Sequence, residues 1–411
     1  MNHKAPAACV TKDAIREPLL GLAALMRLAY SGVDIEPLGR HLLRRATQDP
    51  NDAEAMMDLS TTLQLRGQRE VALAIQAQAL EVQQLYCLPA ADLARVRLLA
   101  LMGPGDLMAN VPLEFLLEGS DVDLNMLYIL PGRPFPASLP EHDVVFVAVS
   151  ESDENRTLLR QLTAQLSEWP RPVLNAPDRI AWLSRDDACA LLQSTPGVIM
   201  PKSARVSREV MQQITSGDMS IASILGDGDF PVIVRPVGSH AGQGLHKLDT
   251  PAAVLCYLQT MSQREFYVTH FVDYRGRDGL FRKYRIVLIK GRPFVCHMAI
   301  SEHWMIHYLN AGMTESADKR AEEARFMESF DTDFALRHQE ALRVINERMG
   351  LDYLGIDCGE TPDGRLLIFE VDASMVVHAM DPVDMFPYKQ PQMRKVFNAF
   401  RTMLASAAEH G

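Results

Sequence analysis

The most constraining stretch of this 411-residue chain is YLGIDCGETPDGRLLIFEVD, from Tyr353 to Asp372. It reads as strand, Pro-Asp-Gly turn and strand, and therefore as a hairpin. Asp357 lies in the first strand, and Glu370 and Asp372 lie in the second. Glu370 and Asp372 are two residues apart, so they share a face. The run Leu366 to Val371 is too apolar for a solvated hairpin. Carboxylates inside apolar strands are costly unless a cation compensates them. Hard oxygen donors of this kind suit a magnesium ion that bridges phosphates. The alternative is a half-exposed strand face.

A second segment, FPVIVRPVGSHAGQGLHKL from Phe230 to Leu248, places a cation, Arg235, on a strand that enters a loop containing Gly238, Ser239, Gly242 and Gly244. Glycines let backbone N–H groups approach phosphate oxygens closely. A strand on each side distinguishes this loop from a P-loop, which opens a helix. A plain glycine-rich hairpin is the other reading.

Around these segments the pattern changes twice along the chain. The first ninety residues read as helices, with apolar positions three and four apart. From about Ala91, strands at Val96–Met102, Leu124–Leu130 and Asp143–Ser150 alternate with helical stretches, including Asn155–Trp169. That alternation implies a parallel, doubly wound sheet. The turn with Asp106 and Asn110 falls at its carboxyl edge, as a ligand site or as an ordinary surface turn. After Pro201 the strands lengthen and become antiparallel in character, and Thr314–Arg348 is charged and helical.

With 52 acidic and 41 basic residues the formal charge is -11, which argues against a nucleic-acid binder. The six cysteines, Cys9, Cys87, Cys189, Cys256, Cys296 and Cys358, are too scattered for a zinc or redox motif. Most are expected to be buried free thiols in a reducing cytoplasm. The apolar run Leu19–Met26 is too short to span a bilayer, so no membrane association is expected. His303 and His307 are four apart and would share a helix face, with His297 and His378 elsewhere. Phosphate or substrate contact, a structural role and zinc binding all remain open for them.

Taken together, the segments from about Pro172 to Met403 resemble the ATP-grasp superfamily, and most closely its glutathione synthetase and ribosomal-protein glutamate ligase branch. LNAPDRIAWLSRDDACALL followed by GVIMPKSARV is similar to that branch's Asn-x-Pro helix and lead-in, and it sets Arg185 among the cofactor-binding residues. Where the family usually has Lys, this chain has Arg235, which by resemblance grips the α- and β-phosphates beneath the glycine loop. YVTHFVDY looks like the adenine hinge, with His270, Phe271 and Val272 along the base. KYRIVLIKGRP resembles the Asp-x-Arg strand, with Arg285 as the arginine and Lys283 in place of the aspartate. NAG at Asn310–Gly312 resembles the loop whose asparagine approaches the triphosphate. Asp357, Glu370 and Asp372 match the family's metal ligands, with Asp372 where Asn is usual.

The resemblance implies an α/β chain in three parts. These are an N-terminal α-helical module over 1–90, a doubly wound pre-ATP-grasp domain over 91–200, and a two-subdomain α+β ATP-grasp fold over 201–405, with its lid at about 201–268 and its C-terminal subdomain at about 269–405. Within the module, Ala53–Gln84 is similar to a tetratricopeptide repeat, with Leu59, Ser60 and Leu63 facing the partner helix, Gly67 at the turn, and Ala72 and Ala79 at the crossing. A plain helical bundle is the alternative. The implied function is ATP- and Mg²⁺-dependent ligation of a carboxylate to an amine through an acyl phosphate, with Arg235 and Arg285 as the catalytic cations. The substrates are small molecules, peptides or carrier-bound groups. The helices are expected to recruit a peptide or protein or to mediate a homodimer. The rival readings are a phosphotransferase and a nucleotide-binding interaction protein.

Overall fold

The computed structural model describes residues 17–136, 138–239 and 242–410, so Cys9 lies outside the described residues. The chain divides into two compact units, Met1–Tyr86 and Cys87–Gly411.

The first unit is helical: α1 (Gly21–Tyr30), α2 (Glu36–Gln48), α3 (Ala53–Leu65) and α4 (Arg69–Val82). Leu42, Ala55 and Leu59 form its buried centre, with Leu38, Leu63 and Ile75 packed against them. Gly67, at φ 76°, makes the α3–α4 turn, a left-handed conformation natural to glycine. Ala72 and Ala79 are fully buried, and the Ser60 hydroxyl donates to the Ala72 carbonyl at 2.7 Å. Small residues thus let these two helices approach closely. The Asp58 carboxylate of α3 accepts from the backbone N–H groups of Leu20 and Gly21, satisfying donors at the start of α1.

The first sheet along the chain has the order β1-β3-β2-β4-β5, built from β1 (Leu85–Leu88), β2 (Val96–Met102), β3 (Val122–Tyr128), β4 (Val144–Val147) and β5 (Val173–Leu174). The pairs β2–β3, β2–β4 and β4–β5 are parallel. Leu98 to Leu101 and Val144 to Val147 are fully buried, as strands covered on both faces must be. The intervening helices are α5 (Leu113–Leu117) and α6 (Arg156–Leu166).

The short helices α7 (Pro177–Ile180) and α8 (Arg185–Leu192) and strand β6 (Val198–Ile199) lead into an antiparallel sheet of order β7-β10-β8-β9. Its strands are β7 (Ser203–Ser207), β8 (Val232–Pro236), β9 (His246–Leu248) and β10 (Glu265–His270), and its helices are α9 (Arg208–Ser216), α10 (Ile221–Leu225) and α11 (Pro251–Thr260). Met211, Ile214, Val234, Val254 and Phe266 belong to one core between them.

The third sheet, β12-β11-β13-β14-β6, contains β11 (Phe281–Ile289), β12 (Arg292–Ser301), β13 (Tyr353–Glu360) and β14 (Leu366–Asp372). The run from Phe281 to Ser301 is a hairpin. Lys290 (φ 49°) and Gly291 (φ 77°) make its turn. Helices α12 (Ala317–Ser329), α13 (Phe334–Arg337), α14 (Gln339–Met349) and α15 (Lys389–His410) complete the unit. Phe400 of α15 meets Phe146 of the first sheet and Tyr353 of the third, with ring centroids 5.6 and 5.3 Å apart. Cys189, Cys296 and Cys358 are buried free thiols, whereas Cys87 and Cys256 are exposed. No helix among the described residues is long and apolar enough to cross a membrane.

Asn175 ties the turn after β5 to the third sheet. It is fully buried at φ 52°. Its amide donates to the Tyr353 carbonyl at 2.9 Å, and its side-chain oxygen accepts the Tyr353 N–H at 2.8 Å. Asn175→Ala strands both of these buried backbone groups. Chemical denaturation should show a loss of about 2–4 kcal/mol, from two unsatisfied buried partners.

Candidate functional site

Antiparallel neighbours in direct register point to the same face of a sheet. In the third sheet His297 pairs with Arg285, Arg285 with Asp357, and Asp357 with Glu370. Four titratable side chains from four adjacent strands therefore stand in one row across β12, β11, β13 and β14. Lys283 is two residues before Arg285, and Asp372 two after Glu370, so both join the same face. A bulge flanks the row on each outer strand. Cys296 is the extra residue opposite Arg285/Ile286, and Phe369 the extra residue opposite Asp357/Cys358. Bulges bend a strand and re-aim its groups. Here the Phe369 carbonyl accepts from the Arg185 guanidinium at 3.1 Å.

The Asp357 side chain is only 2% exposed. Arg285 grips it through Nε and a terminal nitrogen, at 2.8 and 2.9 Å, and Lys283 Nζ lies 2.7 Å away. Burial favours the neutral acid, but Arg285 first and then Lys283 outweigh it and hold the carboxyl far below its usual range. The remaining Arg285 nitrogen donates to the Val376 carbonyl at 3.1 Å, fastening the loop after β14. Glu370 pairs with Arg185. Burial raises its carboxyl, yet Arg185 and then Arg235 bring it below the ordinary value. The Asp372 oxygens accept from the Ser374 N–H and hydroxyl at 2.9 Å.

The donor chemistry thus separates the three acids expected to hold a metal. Glu370, 35% exposed, and Asp372 fit as oxygen donors on one face of β14. The Asp357 oxygens are engaged by Arg285 and Lys283, and one Glu370 oxygen by Arg185. Among the described residues no three His, Cys, Asp or Glu side chains gather as a metal-binding group. The charge of buried Asp357 is met by lysine and arginine, and that of half-buried Glu370 by arginine.

Across from this row, Arg235 leaves β8 toward the glycine-rich loop. Its guanidinium donates to the Ser239 carbonyl, and its Nε to the Ser239 hydroxyl at 3.2 Å. Among the described residues no carboxylate lies within ion-pair distance of it. Burial, then the positive charge of Arg185, push it down to about 10. Gly238, Gly242 and Gly244 all have positive φ. At Gly244 a Cβ would also stand 2.8 Å from Pro236 Cδ, so both conformation and space require glycine.

At the end of β10, His270 Nε2 lies 3.1 Å from the Asp227 carbonyl, and Phe271 donates its N–H to Pro231 at 3.1 Å, with Val272 following. The Phe271 ring meets Trp304 edge-on at 5.8 Å and carries Lys247 Nζ 4.5 Å above it. Asn310 accepts the His307 N–H at 3.0 Å within a single 3-10 turn, Tyr308–Asn310. The segment holding His303 and His307 is not helical, so the shared helix face expected for them does not exist. Trp304 and Met305 between them turn the chain instead. Burial first, and then Arg285 and Lys389, push the His297 imidazole well below the usual histidine range.

No motif or spacing in the chain marks Glu151. It follows β4 and is pushed up to about 7, first by burial and then by Asp153, Asp372 and Asp186, against the pull of Arg156. A carboxyl that binds its proton more tightly when folded stabilises the fold fully at low pH and loses that contribution as pH rises through 7. Glu151→Gln should match the wild type near pH ~4 and exceed it near pH ~8 in urea midpoint.

No protein-family model matches the chain, and no curated protein matches it. The chain is similar to a number of solved structures. A RimK domain protein ATP-grasp from Sphaerobacter thermophilus is 17% identical, with a TM-score of 0.41 over 76% of this chain and 99% of that one. The VanG D-Ala:D-Ser ligase from Enterococcus faecalis is 14% identical, with a TM-score of 0.42 over 75% and 99%. The D-alanine–D-alanine ligase from Bacillus anthracis, complexed with ATP, is 11% identical, with a TM-score of 0.44 over 77% and 99%.

Proposed function

We propose that the chain is an ATP-dependent carboxylate–amine ligase working through an acyl phosphate. One observation carries the reading: Arg235 is a partly buried cation with no carboxylate within ion-pair distance among the described residues, at the mouth of a glycine-rich loop. A cation so withdrawn from water calls for an anion, and a nucleotide phosphate satisfies both it and the loop's N–H groups.

In this reading Arg235, Arg185 and the loop residues Gly238, Ser239, Gly242 and Gly244 hold the α- and β-phosphates. The base lies along His270, Phe271 and Val272, with Phe271 already braced by Trp304. Glu370 and Asp372 would hold Mg²⁺, with Asp357 holding a second ion or sharing it, and the bound ion would supply neutralisation of phosphate charge. Lys283 and Arg285 share a single carboxylate, leaving positive charge for the transferred phosphoryl group. Asn310 approaches the same group. A substrate carboxylate attacks the γ-phosphorus, ADP leaves, and an amine then displaces phosphate. Positioning and charge neutralisation are the main demands on the protein.

The helical unit is proposed to recruit a peptide or carrier protein in the manner of a tetratricopeptide-like pair, or to mediate a homodimer, in a cytoplasmic enzyme. Deletion of the helices should abolish activity on that large substrate while ATP binding persists.

Two variants test the nucleotide assignment. Arg235→Ala should weaken ATP binding by about 1.5–3 kcal/mol, the range for a hydrogen bond to a charged group, as read by calorimetry. Glu370→Gln should abolish turnover at saturating Mg²⁺, measured as ADP release across carboxylates crossed with amines. ADP release that needs no amine would identify a phosphotransferase instead. ATP binding without ADP release across the whole panel would identify a nucleotide-binding interaction protein.

A further inference from the structure

Next to His297 lies a buried charged cluster that none of the steps above uses. Lys389 is the first residue of α15 and is 3% exposed, and Glu323 of α12 is wholly buried. Lys389 Nζ stands 3.2 Å from Asp381 and 3.5 Å from Glu323, and donates to the Tyr308 hydroxyl. Glu323 accepts from the Met298 N–H at 3.0 Å, the Tyr388 hydroxyl at 2.7 Å and the Tyr308 hydroxyl at 3.3 Å. The same ammonium lies 4.1 Å from the centre of the Tyr308 ring, and that ring packs on His297 at 4.6 Å.

Stability alone does not account for this arrangement. A lysine at a helix start faces the positive end of the helix dipole. Buried ion pairs are often no better than apolar side chains of the same volume. What the cluster does is immobilise Tyr308 from both sides. Tyr308 lies in residues 302–312, whose one regular element is the short 3-10 turn. This segment reaches the candidate site at two points. Trp304 meets Phe271, and the Met305 sulfur lies 3.7 Å from where a Cβ of Gly242 would stand. A second tether, the Tyr274 hydroxyl on the Trp304 carbonyl at 2.6 Å, holds the other end.

We propose that Lys389, Glu323 and Tyr308 are positioning residues that hold segment 302–312 as a preformed floor for the nucleotide, on which the glycine-rich loop rests. The inference depends on the nucleotide reading above. It differs from it in placing part of the binding energy in a cluster that touches no phosphate.

The test is calorimetric titration of the full-length protein with Mg·ATP, beside thermal unfolding. The variants are Tyr308→Phe, which keeps the ring on His297, and the neutral triple variant Lys389→Met, Glu323→Gln, Asp381→Asn. The triple variant should unfold no earlier than the wild type, yet bind Mg·ATP about tenfold more weakly, the scale on which supporting residues act. Tyr308→Phe should shift affinity in the same direction by less. Hydrogen exchange should show residues 302–312 losing protection in both. Folded variants with wild-type affinity overturn the inference and leave the nucleotide reading standing. A triple variant that fails to fold leaves Tyr308→Phe to decide by the same criterion. A wild type that binds no Mg·ATP overturns the nucleotide reading, and the floor with it.

Discussion

An ionised carboxylate at the centre of a sheet organises the C-terminal half of this chain. Asp357 is almost sealed from water, and its charge persists there only because Arg285 and Lys283 meet it from the neighbouring strand. That need sets the register of β11 against β13, because a slip of one residue would turn Arg285 to the opposite face. The row it belongs to continues to His297 on one side and Glu370 on the other. The bulges at Cys296 and Phe369 lie immediately beside it, where they adjust the outer strands to a central pair that cannot move.

The balance of charge around that row is uneven. Lys283 and Arg285 share Asp357, Arg185 takes Glu370, and Arg235 donates to the Ser239 backbone carbonyl and hydroxyl, with no carboxylate in ion-pair distance among the described residues. The depressed proton affinity of Arg235 expresses the cost of burying a cation beside another cation. Polyanion binding would relieve it. The glycine-rich loop is fastened to that same guanidinium, so the state of the cation and the position of the loop are linked.

Two further groups hold the scaffold in place without entering the chemistry. Asn175 joins the turn after β5 to β13 through paired hydrogen bonds to Tyr353. The Lys389 and Glu323 cluster fastens α15 and α12 to the turn at Tyr308. Both fix a loop against a sheet by satisfying buried polar groups, and both exact a penalty if only one partner is removed.

Much of the local structure was legible in the chain itself. The apolar runs of β2, β3 and β13–β14, the turn at Gly67 and the glycine-rich strand connection all follow from residue type and spacing. So does the demand that Asp357 and Glu370 be compensated, since a carboxylate in an apolar strand has few alternatives. The compensating groups were not legible. Arg185 and Glu370 are far apart in sequence, and so are Lys389 and Glu323, whose helix AEEARFME looks like an ordinary solvated face. The histidine pair shows the converse error, because spacing suggests a shared face only if the segment is helical, and Trp304 and Met305 sit in a bend. Periodicity and turn chemistry act between near neighbours, so sequence alone determined the strands, the turns and the need for positive charge. Which cation answers which carboxylate depends on strand register, bulges and the packing of remote helices, and only the tertiary structure decided that.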